Sequence, residues 1–293
     1  MTPSDSETSS SEHGLGQAAE KQDLSDLRLA VIGGGRMGET LIRALLRAEA
    51  LSPERVRVTS RTGRRARALA LELGVQAVEN NRDAVRDADV VLLCVKPQGA
   101  AEVLVELEDE LAPGQLLVSI LAGVTSSYVE ERLEAPVPVV RVMPNTPSLL
   151  GDGMSALAAG RYATADHLAQ AQAIFDLVGR TVVLGEQYFD AVTGLSGSGP
   201  AFLYIVIEAL AEGGVKCGLP RAVATELAAQ TCLGASRMVL ETGHHPAVLK
   251  DAVTTPAGCT MDGILELEEG GLRVTLIKAI VEATRRSRDL VDS

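Results

Sequence analysis

The hydrophobic and polar positions divide this chain into two parts with different periodicities. In the first part, short apolar runs alternate with stretches of helical spacing. The runs, each predicted to form a strand, lie at residues 29–32, 56–59, 89–95, 116–120, 137–142, 154–158 and 181–184. Helical spacing follows the first run, where Leu41, Ile42, Leu45 and Leu46 recur at three- and four-residue intervals, and it returns over residues 165–177. This alternation predicts an α/β domain over residues 27–185, with a mainly parallel sheet and helices on both faces.

The second part, residues 186–293, shows helical periodicity only. Helices are predicted over residues 200–215, 220–241, 246–253, 260–269 and 272–290. Residues 201–210 and 223–233 are apolar around much of the helix circumference, and a helix of that kind must be buried. A small helical domain has little interior to offer, so we expect these helices to be covered by a second copy of the chain. The second part is thus predicted to be an all-α dimerisation domain, and larger homo-oligomers are compatible with it.

Composition and charge narrow the setting of the protein. Residues 1–26 are rich in Ser, Glu and Asp, and they lack both the apolar core of a signal peptide and the arginines of a transit peptide, so we expect a disordered tail. The net charge of −12 argues against a nucleic-acid partner. No run approaches the ~18 apolar residues of a membrane helix. The four cysteines have no metal-site spacing, which favours a reduced, cytoplasmic protein and predicts no metal.

A glycine-rich turn joins the first strand to the first helix. Gly33, Gly35 and Gly38 have the spacing G-x-G-x-x-G. In a strand–turn–helix context these glycines allow a tight turn, a close approach of the backbone to a pyrophosphate, and close packing of helix on strand. The motif alone is also compatible with a plain structural turn. Its context favours a Rossmann-type domain that binds a dinucleotide.

The residues at the end of the second strand indicate which dinucleotide, NAD or NADP, the domain binds. About 20 residues beyond the glycines, where an NAD site usually has an acid for the ribose 2′-hydroxyl, the chain has Ser60 and Arg61, followed by Arg64 and Arg65. Serine and arginine suit a 2′-phosphate, which an acid would repel. The sequence therefore favours NADP, with NADPH preferred and NADH possible. The alternative is that the arginines form a solvated helix face.

Later strand ends and one turn supply further candidates. Lys96 and Pro97 follow the strand at residues 89–95, and a lysine there points into the crevice where ligands bind. A turn of small residues precedes the helix predicted from Thr260. The backbone N–H groups within the segment 256–260 (Pro256 itself has none) can converge on a carboxylate, and the hydroxyls of Thr255 and Thr260 lie beside them. These features predict a pocket for a small anionic substrate.

Together with V-K-P at residues 95–97, M-P-N-T-P at 143–147, and the stretches 190–202 and 251–264, these motifs closely resemble the pyrroline-5-carboxylate reductase family. The resemblance extends from residue 27 to the last helix. It implies an N-terminal Rossmann-type domain and a C-terminal domain that intertwines into dimers. The implied reaction is the reduction of 1-pyrroline-5-carboxylate to L-proline by NAD(P)H, the last step of proline biosynthesis.

The resemblance also implies the roles of individual residues. It assigns the pyrophosphate to Ile32, Gly33, Gly34, Gly35, Arg36, Met37 and Gly38. It assigns the 2′-phosphate region to Ser60, Arg61 and Asn81, and the nicotinamide side to Val95, Lys96, Pro97, Leu121, Ala122 and Gly123. It assigns the substrate to Glu186, Thr255, Gly258, Cys259 and Thr260, with Thr260 as the catalytic hydrogen-bond partner of the imine nitrogen. The chain departs from the family pattern at Ala252, Ala257 and Cys259.

Several of these residues have simpler alternatives. Thr260 could be a helix N-cap, Lys96 could cover the sheet edge, and Glu186 could be a boundary residue. Cys259 fits a packing residue better than a nucleophile, because imine reduction needs no covalent step. Two other functions also stay open. One is a β-hydroxyacid dehydrogenase, although Lys216, Lys250 and Lys278 lack the matching lysine motif. The other is a non-catalytic NADP sensor.

Overall fold

The computed structural model describes residues 23–255 and 258–289. Eight strands form one sheet in the order β3-β2-β1-β4-β5-β6-β7-β8. Their bounds are β1 Leu29–Ile32, β2 Val56–Thr59, β3 Gln76–Ala77, β4 Val90–Leu93, β5 Leu116–Ser119, β6 Val139–Met143, β7 Gly153–Ala159 and β8 Gly179–Val183. Every pairing is parallel except β6 with β7. The predicted, mainly parallel sheet is confirmed.

Twelve α-helices complete the described chain. Those of the first part are α1 Arg36–Arg47, α2 Arg64–Leu73, α3 Asn81–Val85, α4 Ala100–Leu107, α5 Ser126–Glu130 and α6 Ala165–Phe175. Those of the second part are α7 Phe189–Val192, α8 Gly199–Lys216, α9 Arg221–Thr242, α10 Pro246–Ala252, α11 Cys259–Glu269 and α12 Leu272–Asp289. A π-helical turn, Thr193–Gly197, connects α7 to α8. The helical character of the second part is confirmed.

The sheet has an apolar layer on each face, because successive residues of a strand point to opposite sides. Val31 belongs to the cluster that packs under α1, α2 and α6. Its neighbours Ala30 and Ile32 belong to the cluster under α3, α4 and α5. The central strands β1, β4 and β5 are buried on both faces, which explains why they read as continuous apolar runs.

The start of the folded body lies earlier than the sequence predicts. Leu24 is 5% exposed, and its carbonyl accepts a hydrogen bond from the Leu27 N–H at 3.0 Å. Asp26 pairs with Arg55 at 3.1 Å. Residues 23–26 therefore belong to the α/β domain and not to the tail, because Leu24 extends its apolar core. The rest of the predicted tail, residues 1–22, lies outside the described residues.

In the second part, α12 packs on α7 and on the π-helical turn. The Ser287 hydroxyl donates to Asp190 Oδ1 at 2.9 Å. A Cβ on Gly194 would come within 3.0 Å of the Ile280 carbonyl oxygen, so the turn and α12 approach closely. Helices α8 and α9 contact each other through a small cluster of alanines at 211, 224 and 228.

The remaining surface of α8 and α9 is strongly apolar and exposed. Leu203, Ile205 and Leu227 are each more than half exposed, and most exposed large apolar residues of the described chain lie from Leu195 onward. The stretch Glu186–Lys216 has the length and composition of a membrane span, with a window of mean hydropathy 1.3 that is 11% buried. This stretch is not an uninterrupted apolar run, because Glu, Asp, Gly and Ser residues occur within it. Length and composition alone are weak evidence for a membrane, and contact between two chains would cover the same surface.

Candidate functional site

The glycine turn contains two kinds of glycine. Gly33 and Gly38 pack against protein atoms, whereas Gly35 faces open space. A Cβ on Gly33 would lie 2.9 Å from the carbonyl carbon of Cys94, and Gly33 has φ +102°. A Cβ on Gly38 would lie 2.6 Å from the Gly33 carbonyl oxygen. A Cβ on Gly35 would meet no atom within 4 Å. Protein packing thus explains the glycines at 33 and 38, whereas Gly35 leaves room for a group from outside the chain.

Helix α1 begins at this open position and has no side-chain cap. Gly35 is its N-cap residue, and no side chain accepts a hydrogen bond from the first turn. The N–H groups of Arg36, Met37 and Gly38 have no intrahelical acceptor, since the first N–H groups of a helix never do. Arg36 and Gly35 are exposed. An uncapped helix N-terminus beside an open glycine fits the pyrophosphate of a dinucleotide.

The end of β2 places Ser60, Arg61 and Asn81 beside the glycine turn. The Gly34 N–H donates to the Thr59 carbonyl at 2.7 Å, which joins the two segments. The Ser60 hydroxyl accepts from the Ala66 N–H at 3.0 Å, so its proton stays available to a ligand. Arg61 is exposed and has no ion pair among the described residues. This arrangement suits a phosphate group.

The other candidate residues of this region differ in whether their side chains already have partners within the protein. Arg65 pairs with Glu39 and is therefore engaged within the protein, whereas Arg64 is exposed. Asn81 accepts from the Thr59 hydroxyl at 2.7 Å and donates to Glu106 Oε2 at 2.5 Å. Its amide is thereby fixed against the end of β2, and one of its N–H groups is left over.

The segments after β4 and β5 lie next to each other at the same sheet edge, because these strands are parallel neighbours. Lys96 is exposed and precedes the turn Pro97–Gly99. Val95 is half-buried, Leu121 is buried, and Ala122 is exposed. Gly123 has φ +76°, a left-handed conformation that favours glycine. The structure thus brings the predicted nicotinamide residues together at this edge, beside the glycine turn after β1.

The predicted substrate loop is less closely connected to this edge. The Gly258 N–H donates to the Thr255 carbonyl at 3.0 Å, and a Cβ on Gly258 would lie 2.5 Å from Thr255 Oγ1. Cys259 and Thr260 are exposed. Among the described residues, no hydrogen bond or ion pair joins this loop to the sheet edge. Pro256 and Ala257, which belong to the turn predicted to face a carboxylate, lie outside the described residues.

The structure removes one alternative for Thr260. The N-cap of α11 is Gly258, and Thr260 is the second residue of the helix. Within the described part of the chain, its hydroxyl has no hydrogen-bond partner. Thr260 is therefore not the N-cap residue of α11.

Glu186 lies at the junction of the two parts, with both carboxylate oxygens engaged. Its Oε1 accepts from the Ser126 N–H at 2.7 Å and from Arg141 Nη1 at 2.9 Å, and its Oε2 accepts from the Ser126 hydroxyl at 2.6 Å. The Arg141 side chain is 7% exposed and also lies over the Phe189 ring. Glu186 is thus more than a boundary residue. Its direct contact with a substrate, predicted by the resemblance, stays a prediction.

The acid–base and thiol groups near the site are few. Burial raises the pKa of the Glu130 carboxyl, and the nearby charge of Glu186 contributes in the same direction. Burial of its thiol raises the pKa of Cys94 to about 12, so this cysteine is neutral. In residues 23–255 and 258–289, no group of His, Cys, Asp or Glu side chains could hold a metal ion.

Three structurally important residues escaped the sequence analysis. Asn145, after β6, donates to the Ser196 carbonyl at 3.0 Å and accepts from the Met154 N–H at 2.9 Å, which ties the π-helical turn to the sheet edge. Arg141 and Ser126 bind Glu186. A signal was present for Arg141, because a single charge within the apolar strand Val139–Met143 needs a partner when buried.

Comparison with known proteins finds a matching family model for each of the two parts of the chain. A family model described as pyrroline-5-carboxylate reductase dimerisation matches residues 186–290, and one described as NADP oxidoreductase, coenzyme F420-dependent, matches residues 28–123. The pyrroline-5-carboxylate reductase of Arabidopsis thaliana is 41% identical over 266 residues, or 91% of this chain and 96% of the relative.

Solved structures of pyrroline-5-carboxylate reductases are also similar to this chain. A pyrroline-5-carboxylate reductase from Coxiella burnetii has a TM-score of 0.84 at 35% identity, covering 90% of this chain and 98% of that one. A Plasmodium falciparum pyrroline carboxylate reductase with NADP bound has a TM-score of 0.81 at 28% identity, covering 92% and 99%. These similarities extend over nearly the whole chain and confirm the resemblance inferred from the motifs. The chain belongs to the pyrroline-5-carboxylate reductase family.

Proposed function

We propose that this protein reduces 1-pyrroline-5-carboxylate to L-proline and uses NADPH in preference to NADH. The observation that carries the proposal is the open position at Gly35, beside an uncapped helix, in a chain similar to reductases over its whole folded length. When bound, NADPH supplies the hydride that adds to the C5 carbon of the imine. The imine nitrogen takes up a proton, and proline and the oxidised dinucleotide are released.

The cofactor preference rests on charge at the end of β2. Ser60 can donate its hydroxyl proton, and Arg61 has no competing ion pair among the described residues. Arginine binds phosphate through paired N–H groups, so this pair of residues favours a 2′-phosphate over a 2′-hydroxyl. The remaining roles follow the sheet edge: the first turn of α1 for the pyrophosphate, and residues 95–97 and 121–123 for the nicotinamide side.

For the substrate, we propose that the start of α11 binds the carboxylate and that Thr260 donates to the imine nitrogen. The exposed position of Thr260 and the close approach of Thr255 to Gly258 support this assignment. A threonine hydroxyl is too weak an acid to release its proton at neutral pH. Thr260 therefore positions the imine, or passes on a proton from water, and the protein accelerates the reaction mainly by holding two molecules in a reactive geometry.

The assembly and the location follow from the surface. We propose that the apolar faces of α8 and α9 are covered in a homodimer or a larger homo-oligomer. The four free cysteines, of which Cys217 and Cys259 are exposed, support a reducing compartment such as the cytoplasm.

The test is a spectrophotometric assay of NADPH oxidation with 1-pyrroline-5-carboxylate, repeated with NADH. We expect turnover with both cofactors and a higher kcat/KM with NADPH. Protein that binds NADPH but does not oxidise it with this imine would refute the proposed reaction. Equal kcat/KM values for the two cofactors would refute only the proposed preference.

A further inference from the structure

A buried polar cluster connects the helical part of the chain to the loop after β5. Glu186, the first residue of the helical part, binds both the N–H and the hydroxyl of Ser126 and forms an ion pair with Arg141. These contacts span 60 and 45 residues of sequence. Ser126 is 6% exposed and Arg141 is 5% exposed, so water competes little for these hydrogen bonds.

Ser126 is the first residue of α5, and α5 follows directly on the loop of residues 121–125. Thr125 caps α5 by accepting from the Tyr128 N–H at 3.1 Å, so the loop and the helix start form one unit. The carboxylate of Glu186 binds at the N-terminus of α5, where a negative charge is favourable because the helix dipole is positive there. Gly123, in its left-handed conformation, is only three residues upstream.

Arg141 fixes the other side of the carboxylate. It extends from the middle of β6 and stacks on Phe189, the first residue of α7. Phe189 is 1% exposed and belongs to a small apolar cluster with Ala156 and Ala158 of β7. The carboxylate of Glu186 is therefore held from the sheet as well as from α5, and it cannot shift without breaking one of these contacts.

We propose that Glu186 is a positioning residue, which sets the loop of residues 121–123 against the nicotinamide half of the cofactor through Ser126 and Arg141. This inference rests on the proposed cofactor site. The role is indirect and is separate from the substrate contact that the resemblance implies: through it, the same residue couples the placement of the helical part to the geometry of the hydride donor. Loss of the contact should disturb the nicotinamide end and leave the adenosine end, at Ser60 and Arg61, unchanged.

The experiment compares two ligands on Glu186→Gln, Ser126→Ala and the double variant. NADPH reports on the complete site, and 2′,5′-ADP reports on the adenosine end alone. In Glu186→Gln, we expect the Kd of NADPH to rise on the order of tenfold, since the negative charge that strengthens these hydrogen bonds and pairs with Arg141 is lost, and the Kd of 2′,5′-ADP to stay within about twofold. Ser126→Ala should show a smaller effect of the same kind, and the double variant should bind NADPH about as Glu186→Gln does, because both changes remove one interaction.

The matched control is Glu130→Gln. Glu130 is in α5, like Ser126, but its carboxylate accepts a hydrogen bond from the Arg161 N–H at 2.7 Å and not from the loop of residues 121–125. Its NADPH affinity should stay within about twofold of wild type. Equal weakening of both ligands in Glu186→Gln, or additive effects in the double variant, would overturn the proposal. Binding needs no imine, so a failure of the proposed reaction would leave this test valid.

Discussion

The open position at Gly35 makes a sharp prediction about the substitution Gly35→Ala. The added methyl group would meet no protein atom within 4 Å, and Gly35 has φ −77°, which alanine adopts without strain. Folding should therefore be unaffected, or slightly favoured by about 0.4–1 kcal/mol, because alanine restricts the unfolded chain. The methyl group would, however, occupy the space in which we place the pyrophosphate.

The size of the binding defect follows from the contacts at the first turn of α1. A hydrogen bond to a charged group contributes about 1.5–3 kcal/mol. Displacing the pyrophosphate from one or two N–H donors would cost about 3 kcal/mol, which corresponds to about a hundredfold rise in the Kd of NADPH. Chemical denaturation would measure the stability, and fluorescence titration would measure the NADPH affinity of the same preparations.

Two further glycines provide the controls. Gly114→Ala also places its Cβ in open space, in the loop before β5 at the opposite edge of the sheet, and it should change neither quantity. In Gly38→Ala the Cβ would lie 2.6 Å from the Gly33 carbonyl oxygen, so we expect a loss of about 1–3 kcal/mol in the free energy of unfolding. If Gly35→Ala bound NADPH within about threefold of wild type, the placement of the pyrophosphate would be wrong.

Three other predictions concern separate parts of the molecule. Arg61→Ala should raise the KM for NADPH by about tenfold or more and leave the KM for NADH within about twofold, because only NADPH has the 2′-phosphate; equal changes would contradict the assignment. Thr260→Ala should lower kcat/KM by about tenfold or more, and Thr260→Ser, which keeps the hydroxyl, should restore most of it; a twofold effect of the alanine would exclude an imine contact. The hydrogen bond from Arg28 holds the pKa of Asp89 below its ordinary value of 3.8. The ionised Asp89 carboxylate therefore contributes its full stabilisation above pH 3.8, and this contribution is lost as the pH falls through the folded-state pKa. The stability difference between wild type and Asp89→Asn, from denaturation at a series of pH values, should therefore shrink below about pH 3.8; a constant difference would contradict this.

The sequence predicted the main elements because buried parallel strands and amphipathic helices have clear apolar patterns. It missed β3, since Gln76–Ala77 is two exposed residues with no such pattern. It located the glycine turn and singled out Ser60 and Arg61 as candidates for the 2′-phosphate, because each is a local group of neighbours in sequence. It did not reveal the partners of Glu186, because Ser126 and Arg141 come close to it only through the order of the strands.

Because the apolar faces of α8 and α9 are exposed, the stability of the helical part should depend on the protein concentration. Among the described residues, the fully buried apolar cluster between these two long helices is small, and most of their large apolar side chains are exposed. Most of the apolar burial that would hold them in place must therefore come from association. The free energy of such an arrangement depends on the chain concentration, as it does for obligate dimers. In dilute solution the α/β domain would keep its own core, and the helical part would lose stability first.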